Sequence, residues 1–216
     1  MTRSKGPALI LVRHGETVGE SSIRYHGRTD VALSALGREQ MRAAKVAVAA
    51  RHGGPEFTRV FASPLSRAAE GARLIAGASA PVDTLDEFVE VDFGLFEGLT
   101  ADEILERYPE EAARWNADRL APAYAYPRGE SRAAFAERVE RGVDRMLAIW
   151  NPGAGNIDQR ALLVAHRGVI RAIVSRLVSA EPIVELGSIQ ILELDGTWHA
   201  TALDITDHLN AVVRKP

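Results

Sequence analysis

The stretch Ala8-Leu9-Ile10-Leu11-Val12-Arg13-His14-Gly15 runs five aliphatic residues straight into an arginine, a histidine and a glycine. An apolar run without polar alternation is the pattern of a strand covered on both faces. Two further runs repeat the arrangement. Val60-Phe61-Ala62 leads into Ser63-Pro64-Leu65-Ser66-Arg67, and Ala161-Leu162-Leu163-Val164-Ala165 leads into His166-Arg167-Gly168. Helical patterns lie between and after these runs. Ser34 is a natural N-cap for a helix reaching about Arg51, with Met41, Ala44 and Val48 on one face and Gly53-Gly54 as its stop. Leu65 to Ala76 and Gly168 to Val178 read as helices. So does Ser131 to Trp150, with Phe135, Val139, Val143 and Met146 at helical spacing as core residues and Asn151-Pro152-Gly153 closing it. Near the end, Ile189 to Leu194 and Trp198 to Leu203 flank Asp195-Gly196, a pair with hairpin-turn chemistry. Strands alternating with helices predict an α/β fold, a three-layer α/β/α sandwich with a mostly parallel sheet.

The segment 86–129 breaks that alternation. It is rich in Asp, Glu, Tyr, Trp and Pro, with short helices only near Ala101 to Arg107 and Glu110 to Ala117. It predicts an irregular insertion covering the site at one end of the sheet, within one domain spanning 1–216. Trp115, Tyr124 and Tyr126 either line the mouth of that site or fill the insertion's own small core. Composition fits a single globular domain: of 216 residues, 46% are hydrophobic and 25% charged, which argues against a disordered chain or a fibre. No apolar run approaches the roughly 18 residues of a membrane span, and the run Ala8 to Val12 is too short for a signal-peptide core. A cytoplasmic protein with no membrane partner is expected. Cysteine is absent, which excludes disulfides, thiolate metal sites and cysteine nucleophiles. The net charge of −3 gives no reason to expect a nucleic-acid partner.

Ligands of open α/β sheets bind outside the carboxyl ends of the strands. Parallel neighbours here would bring His14, His166, Arg13, Arg67 and Arg167 to one pocket, locally positive in a slightly acidic chain. Its natural guest is a dianion, with phosphate leading, because guanidinium groups grip its oxygens in a planar fork. A neutral imidazole is also a competent nucleophile towards phosphorus, and arginines neutralise charge in the transition state. Gly15 and Gly168 would let the backbone approach the phosphoryl group. A nearby carboxylic acid could protonate the leaving oxygen.

Leu11-Val12-Arg13-His14-Gly15-Glu16-Thr17 resembles the signature of the histidine phosphatase superfamily, also called phosphoglycerate mutase-like. Five further elements follow in family order. Arg24-Tyr25-His26-Gly27 with Asp30 to Gly37 resembles the arginine–glycine loop and helix entry. Ser63-Pro64-Leu65-Ser66-Arg67-Ala68 resembles the S-P-L-x-R-A element, and Glu90 to Gly94 with Glu97-Gly98 the acid loop. Gly129-Glu130-Ser131 resembles the G-E-S helix start, and Val164 to Arg171 the second-histidine element.

The resemblance implies a phosphoglycerate mutase-like fold and a phosphoric monoester hydrolase of the histidine acid phosphatase type. His14 would carry the phosphoryl group, with Arg13, Arg67 and His166 clamping it and Glu90 exchanging the proton. Gly15, Thr17, Arg24, His26, Gly27, Arg167 and Gly168 would be substrate-binding residues. Neither a metal nor another cofactor is implied. The partner would be a small phosphate monoester, and the chain a monomer or homodimer. Trp115 to Arg128 lacks the basic block expected of a mutase, which favours a phosphatase. A cofactor-dependent phosphoglycerate mutase and a phospho-ligand-binding or regulatory protein with a weak site stand as alternatives.

Three positions depart from the family pattern. Glu20 stands where an Asn often touches phosphate, Gly71 replaces a common Thr, and Arg167 replaces the Gly that usually follows the second histidine. The Arg167 side chain either joins the pocket or pairs with a carboxylate elsewhere.

Overall fold

The computed structural model describes residues 6–19, 23–52, 56–153 and 159–213. Glu20 and the expected Gly53-Gly54 helix stop lie outside the described residues. Strand β1 (Ala8–Arg13) is followed by α1 (Ala35–His52), β2 (Arg59–Ala62), α2 (Ser66–Ala76) and a two-residue strand β3 (Asp83–Thr84). The segment 86–129 holds two short 3-10 turns, α3 (Ala101–Arg107) and α4 (Pro109–Asp118). The chain continues through α5 (Arg132–Trp150), β4 (Arg160–Ala165), α6 (Arg167–Val178), β5 (Ile189–Asp195), β6 (Thr197–Ile205) and a terminal turn α7 (Asn210–Val213).

The six strands form one sheet in the order β3-β2-β4-β1-β5-β6. The first four are mutually parallel, while β5 pairs antiparallel with β1 and with β6. The sheet is therefore mixed, its antiparallel part being the hairpin turned at Gly196, where φ is 70°. Strand β3 was not foreseen; two residues are too few for a hydrophobic pattern.

Strand alternation splits the core into two layers. Leu9, Leu11, Phe61, Leu163 and Leu192 face α5 and α6, meeting Val143, Met146, Ile170 and Ile173. Ile10, Val12, Val60, Leu162 and Val164 face the other way, onto α1 and α2 through Met41, Ala44, Val48 and Ile75. Each fully buried aliphatic side chain contributes about 1.5–3 kcal/mol. Gly71 is part of this packing: a Cβ there would press on the Met41 sulfur and on Val164. The helix ends follow local chemistry. The Ser34 hydroxyl accepts from Gly37 N–H at 3.0 Å, and the Ser131 hydroxyl from Ala134 N–H at 3.1 Å. Asn151 closes α5 in the left-handed conformation.

The layering also positions the site. After β1 the chain turns to the α1 face, whereas after the adjacent β4 it turns to the α6 face. Neighbouring parallel strands whose helices leave on opposite sides open a crevice at their carboxyl ends.

Candidate active site

Arg13 and His14 at the end of β1 and Arg167 after β4 line this crevice, with His166 buried behind the lining against His14. His14 N–H donates to the Ala165 carbonyl at 3.0 Å, which extends the ladder by one residue and sets the two histidines side by side. Their ring centroids are 5.1 Å apart, with planes inclined at 64°. His14 is 5% exposed and His166 1%. The cleft has a volume of about 660 Å³, and His14 shares its lining with Arg13, Arg24, His26, Glu90 and Arg167.

The His14 tautomer follows from one contact. Its Nδ1 lies 2.7 Å from the Gly15 carbonyl oxygen, which can only accept, so Nδ1 carries the proton and Nε2 the free lone pair. Burial, then the charges of Arg67 and Arg13, hold the His14 pKa well below the usual imidazole value. Burial and Arg67 do the same to His166. Both rings are neutral at pH 7. His166 Nε2 shares a 2.8 Å hydrogen bond with the buried Ser63 hydroxyl, and its Nδ1 is buried with no protein partner.

The expected arginines divide into two roles. Arg13 lines the cleft; its Nη1 donates to the Val184 carbonyl at 3.0 Å, and its Nε is buried without a protein partner. Its pKa falls to about 10, first through burial and next through repulsion from Arg167, so it stays charged at neutral pH. Arg67 is fully buried behind the lining. Its two Nη groups donate to the carbonyls of Thr29 (2.8 Å), His26 (3.0 Å) and Gly27 (2.6 Å), which leaves only Nε without a partner.

Glu90, 8% exposed, accepts from its neighbour Val91 N–H at 3.1 Å and from Gly168 N–H at 3.0 Å. Gly168 lies in the first turn of α6, so the carboxylate rests on the positive end of that helix. The two glycines make room for protein neighbours. A Cβ on Gly168 would lie 2.5 Å from Glu90 Oε1; a Cβ on Gly15 would collide with the Gly37 backbone at the start of α1. These glycines admit the acid and the helix backbone.

Other expected binding residues scatter. Thr17 is buried in a bridge to Leu33. Gly27 is packed under Val91 and Glu97. His26 lines the cleft, with its Nε2 donating to the Gly19 carbonyl at 3.0 Å. Arg24 lines it too, but its guanidinium holds Glu103 (2.6 Å) and the Gly98 carbonyl (2.9 Å). Arg167 is exposed on the cleft wall, so its side chain joins the pocket. Trp115 and Tyr126 pack with Phe96, Ile104 and Ala112 in the small core of segment 86–129. Tyr124 stacks edge-on against Tyr126.

Three supports were missed. The Glu97 carboxylate accepts from the N–H groups of Gly27, Arg28, Thr29 and Phe93 and from the Thr29 hydroxyl. Arg138 grips Glu130 with two nitrogens and donates to the carbonyls of Glu87 and Val89, fixing the chain just before Glu90. The Val184 carbonyl accepts from both Arg13 and Arg167. The Glu97-Gly98 pair and Gly129-Glu130-Ser131 carried a signal for the first two. A backbone carbonyl carries none.

Known proteins are similar to this chain over most of its length. The Bifunctional protein Rv2228c of Mycobacterium tuberculosis is 35% identical over 210 residues, covering 93% of this chain and 54% of that protein. The chain thus spans about half the length of that relative. The adenosylcobalamin/alpha-ribazole phosphatase of Salmonella typhimurium is 31% identical over 202 residues, covering 92% of this chain and 91% of that one. The crystal structure of the alpha-ribazole phosphatase from Shigella flexneri superimposes with a TM-score of 0.76 at 26% identity, covering 92% and 96% of the two chains. A family model matches residues 9–214, a span that includes His14, His166, Arg13, Arg67 and Glu90, and by that match the chain belongs to the histidine phosphatase superfamily, branch 1.

Proposed function

We propose that the chain is a phosphomonoesterase that hydrolyses a small phosphorylated metabolite through a phosphohistidine on His14. One observation carries the reading: the His14 Nδ1–H is tied to a carbonyl, leaving a neutral Nε2 lone pair on a ring that lies against His166 and feels the charges of Arg67 and Arg13, and each of these three residues has a buried, unpartnered nitrogen. Buried donors without partners are costly, about 1–3 kcal/mol each, and phosphoryl oxygens are the acceptors that would satisfy them.

The chemistry then has two halves. Nε2 attacks phosphorus, the N–P bond forms as the ester P–O bond breaks, and Glu90 gives its proton to the leaving oxygen. Water next attacks the phosphohistidine and Glu90 takes a proton from it, so inorganic phosphate leaves and the imidazole is restored. Arg13 and His166 donate to the equatorial oxygens. Arg67, with both Nη groups committed, adds its charge and its Nε. That several relatives are phosphatases of small molecules supports the hydrolytic reading.

The test is trapping with a ³²P-labelled aryl phosphate and a denaturing quench. Acid-labile, alkali-stable label on the wild-type chain, absent from His14→Ala along with nearly all turnover, is the expected result. A His14→Ala protein that keeps the wild-type rate overturns the proposal.

A further inference from the structure

Arg167 follows His166 directly, opens α6 and lines the cleft. Its Nε donates to the Val184 carbonyl at 3.2 Å, and Arg13 Nη1 donates to the same oxygen at 3.0 Å. One acceptor therefore holds two cations side by side. Among the described residues Arg167 has no carboxylate partner and its two Nη groups have no hydrogen-bond acceptor.

The shared carbonyl is itself held by a strained support. Val184 is fully buried and β-branched, yet has φ of 60°. The Asp204 carboxylate accepts from Ile183 N–H at 2.8 Å and Val184 N–H at 2.9 Å; Asp204, at φ 54°, donates its own N–H to Gln190 Oε1 at 2.6 Å. Two unfavourable backbone conformations thus lock each other and aim one oxygen at two guanidinium groups. A solvent-exposed arginine on a helix would need no such support.

The scissile phosphoryl group already has Arg13, Arg67 and His166. We propose that Arg167 forms a second anion subsite beside it, so that the preferred substrate is a phosphate monoester carrying another anionic group, a carboxylate or a second phosphate, near the ester oxygen. This deepens the phosphomonoesterase reading and rests on it. The repulsion that lowers Arg13 supports the closeness of the two cations. Glu185 lines the same wall, so the subsite accepts one anionic group seated on the guanidinium fork and disfavours an extended polyanion.

The experiment compares 3-phosphoglycerate, glycerol 1,3-bisphosphate and glycerol 3-phosphate, which share a three-carbon frame and differ in the second anion. Wild type is expected to favour at least one of the first two by tenfold or more in kcat/KM, and Arg167→Gln to remove that preference while Arg167→Lys keeps part of it. Which ester loses its advantage identifies carboxylate or phosphate as the second group. The same three ligands are titrated calorimetrically into His14→Ala and His14→Ala/Arg167→Gln, a readout that needs no turnover. Selective tenfold weakening for the doubly anionic ligands supports the subsite. Equal weakening for all three assigns Arg167 to the scissile phosphate and overturns it, as does no change. Absence of hydrolysis by wild type with selective binding intact would sink the hydrolase reading alone.

Discussion

Gly168 and Glu90 test the acid at the scale of single residues. The Gly168 N–H holds Glu90 Oε2 at 3.0 Å, while a methyl at its Cα would lie 2.5 Å from Oε1 and 3.1 Å from Phe135. The contact with Oε1 is the shorter by far, and the half-buried Phe135 ring can give a few tenths of an ångström. The carboxylate must move. Gly168→Ala is therefore expected to reproduce the effect of Glu90→Gln: a loss of about 10²-fold in kcat on alkyl phosphates, whose leaving oxygens need a proton, with far less on p-nitrophenyl phosphate. Steady-state rates across a series of leaving groups read this directly as a steeper dependence on leaving-group pKa. Equal slowing across the series would remove Glu90 from the acid role.

At the scale of elements, the loop after Arg24 is held from two sides. Arg67 binds its carbonyls, and Glu97 binds its N–H groups. Glu97→Gln keeps the shape but leaves one oxygen where five donors converge, and turns an NH₂ towards them. Hydrogen bonds to a charged group are worth about 1.5–3 kcal/mol each when buried. With this loop half exposed, a net loss of about 2–3 kcal/mol is expected, or about 5–10 °C in Tm for a chain of this length. Because the loop carries Arg67's acceptors, kcat/KM for p-nitrophenyl phosphate should fall with it; unchanged Tm and kcat/KM would show that the loop holds without Glu97. This support also marks the limit of what could be read beforehand. Strands β1, β2 and β4 and the charged residues that end them were legible, because buried parallel strands force an unbroken aliphatic run and the ligand side begins where it stops. Glu90 was legible only through the resemblance, since Glu87, Asp92 and Glu97 around it look like a solvated acidic loop. That Gly15 makes room for Gly37 and Gly168 for Glu90 was not legible, because a glycine signals a close approach but not the partner that approaches. Nothing in residue type announces that Val184 adopts a left-handed conformation or that its carbonyl binds two arginines.

The whole molecule is shaped by keeping two imidazoles uncharged inside it. His14 and His166 are buried between Arg13 and Arg67, and both have pKa values well below the unfolded value of about 6.5. Above that value neither folded nor unfolded chain binds these protons, and the stability is fully present. As pH falls below 6.5 the unfolded chain takes up both protons and the native chain does not, so the equilibrium shifts towards unfolding until the folded pKa values are reached. Each histidine then removes about 1.4 kcal/mol per pH unit, and the pair roughly 3 kcal/mol. His208, lowered by its own burial, adds in the same direction. The lowered carboxylates Glu103 and Asp207 titrate below this window and do not offset it. Thermal unfolding followed from pH 7.5 to 5.5 should show Tm falling by about 5–10 °C per unit below pH 6.5. His14→Asn should flatten that dependence by one proton's share, even where it raises the absolute Tm by removing a neighbour of His166. A flat Tm across this range would mean that the two rings take up protons in the native state at the same pH as in the unfolded chain, so that His14 would lose its attacking lone pair as the pH falls through about 6.5.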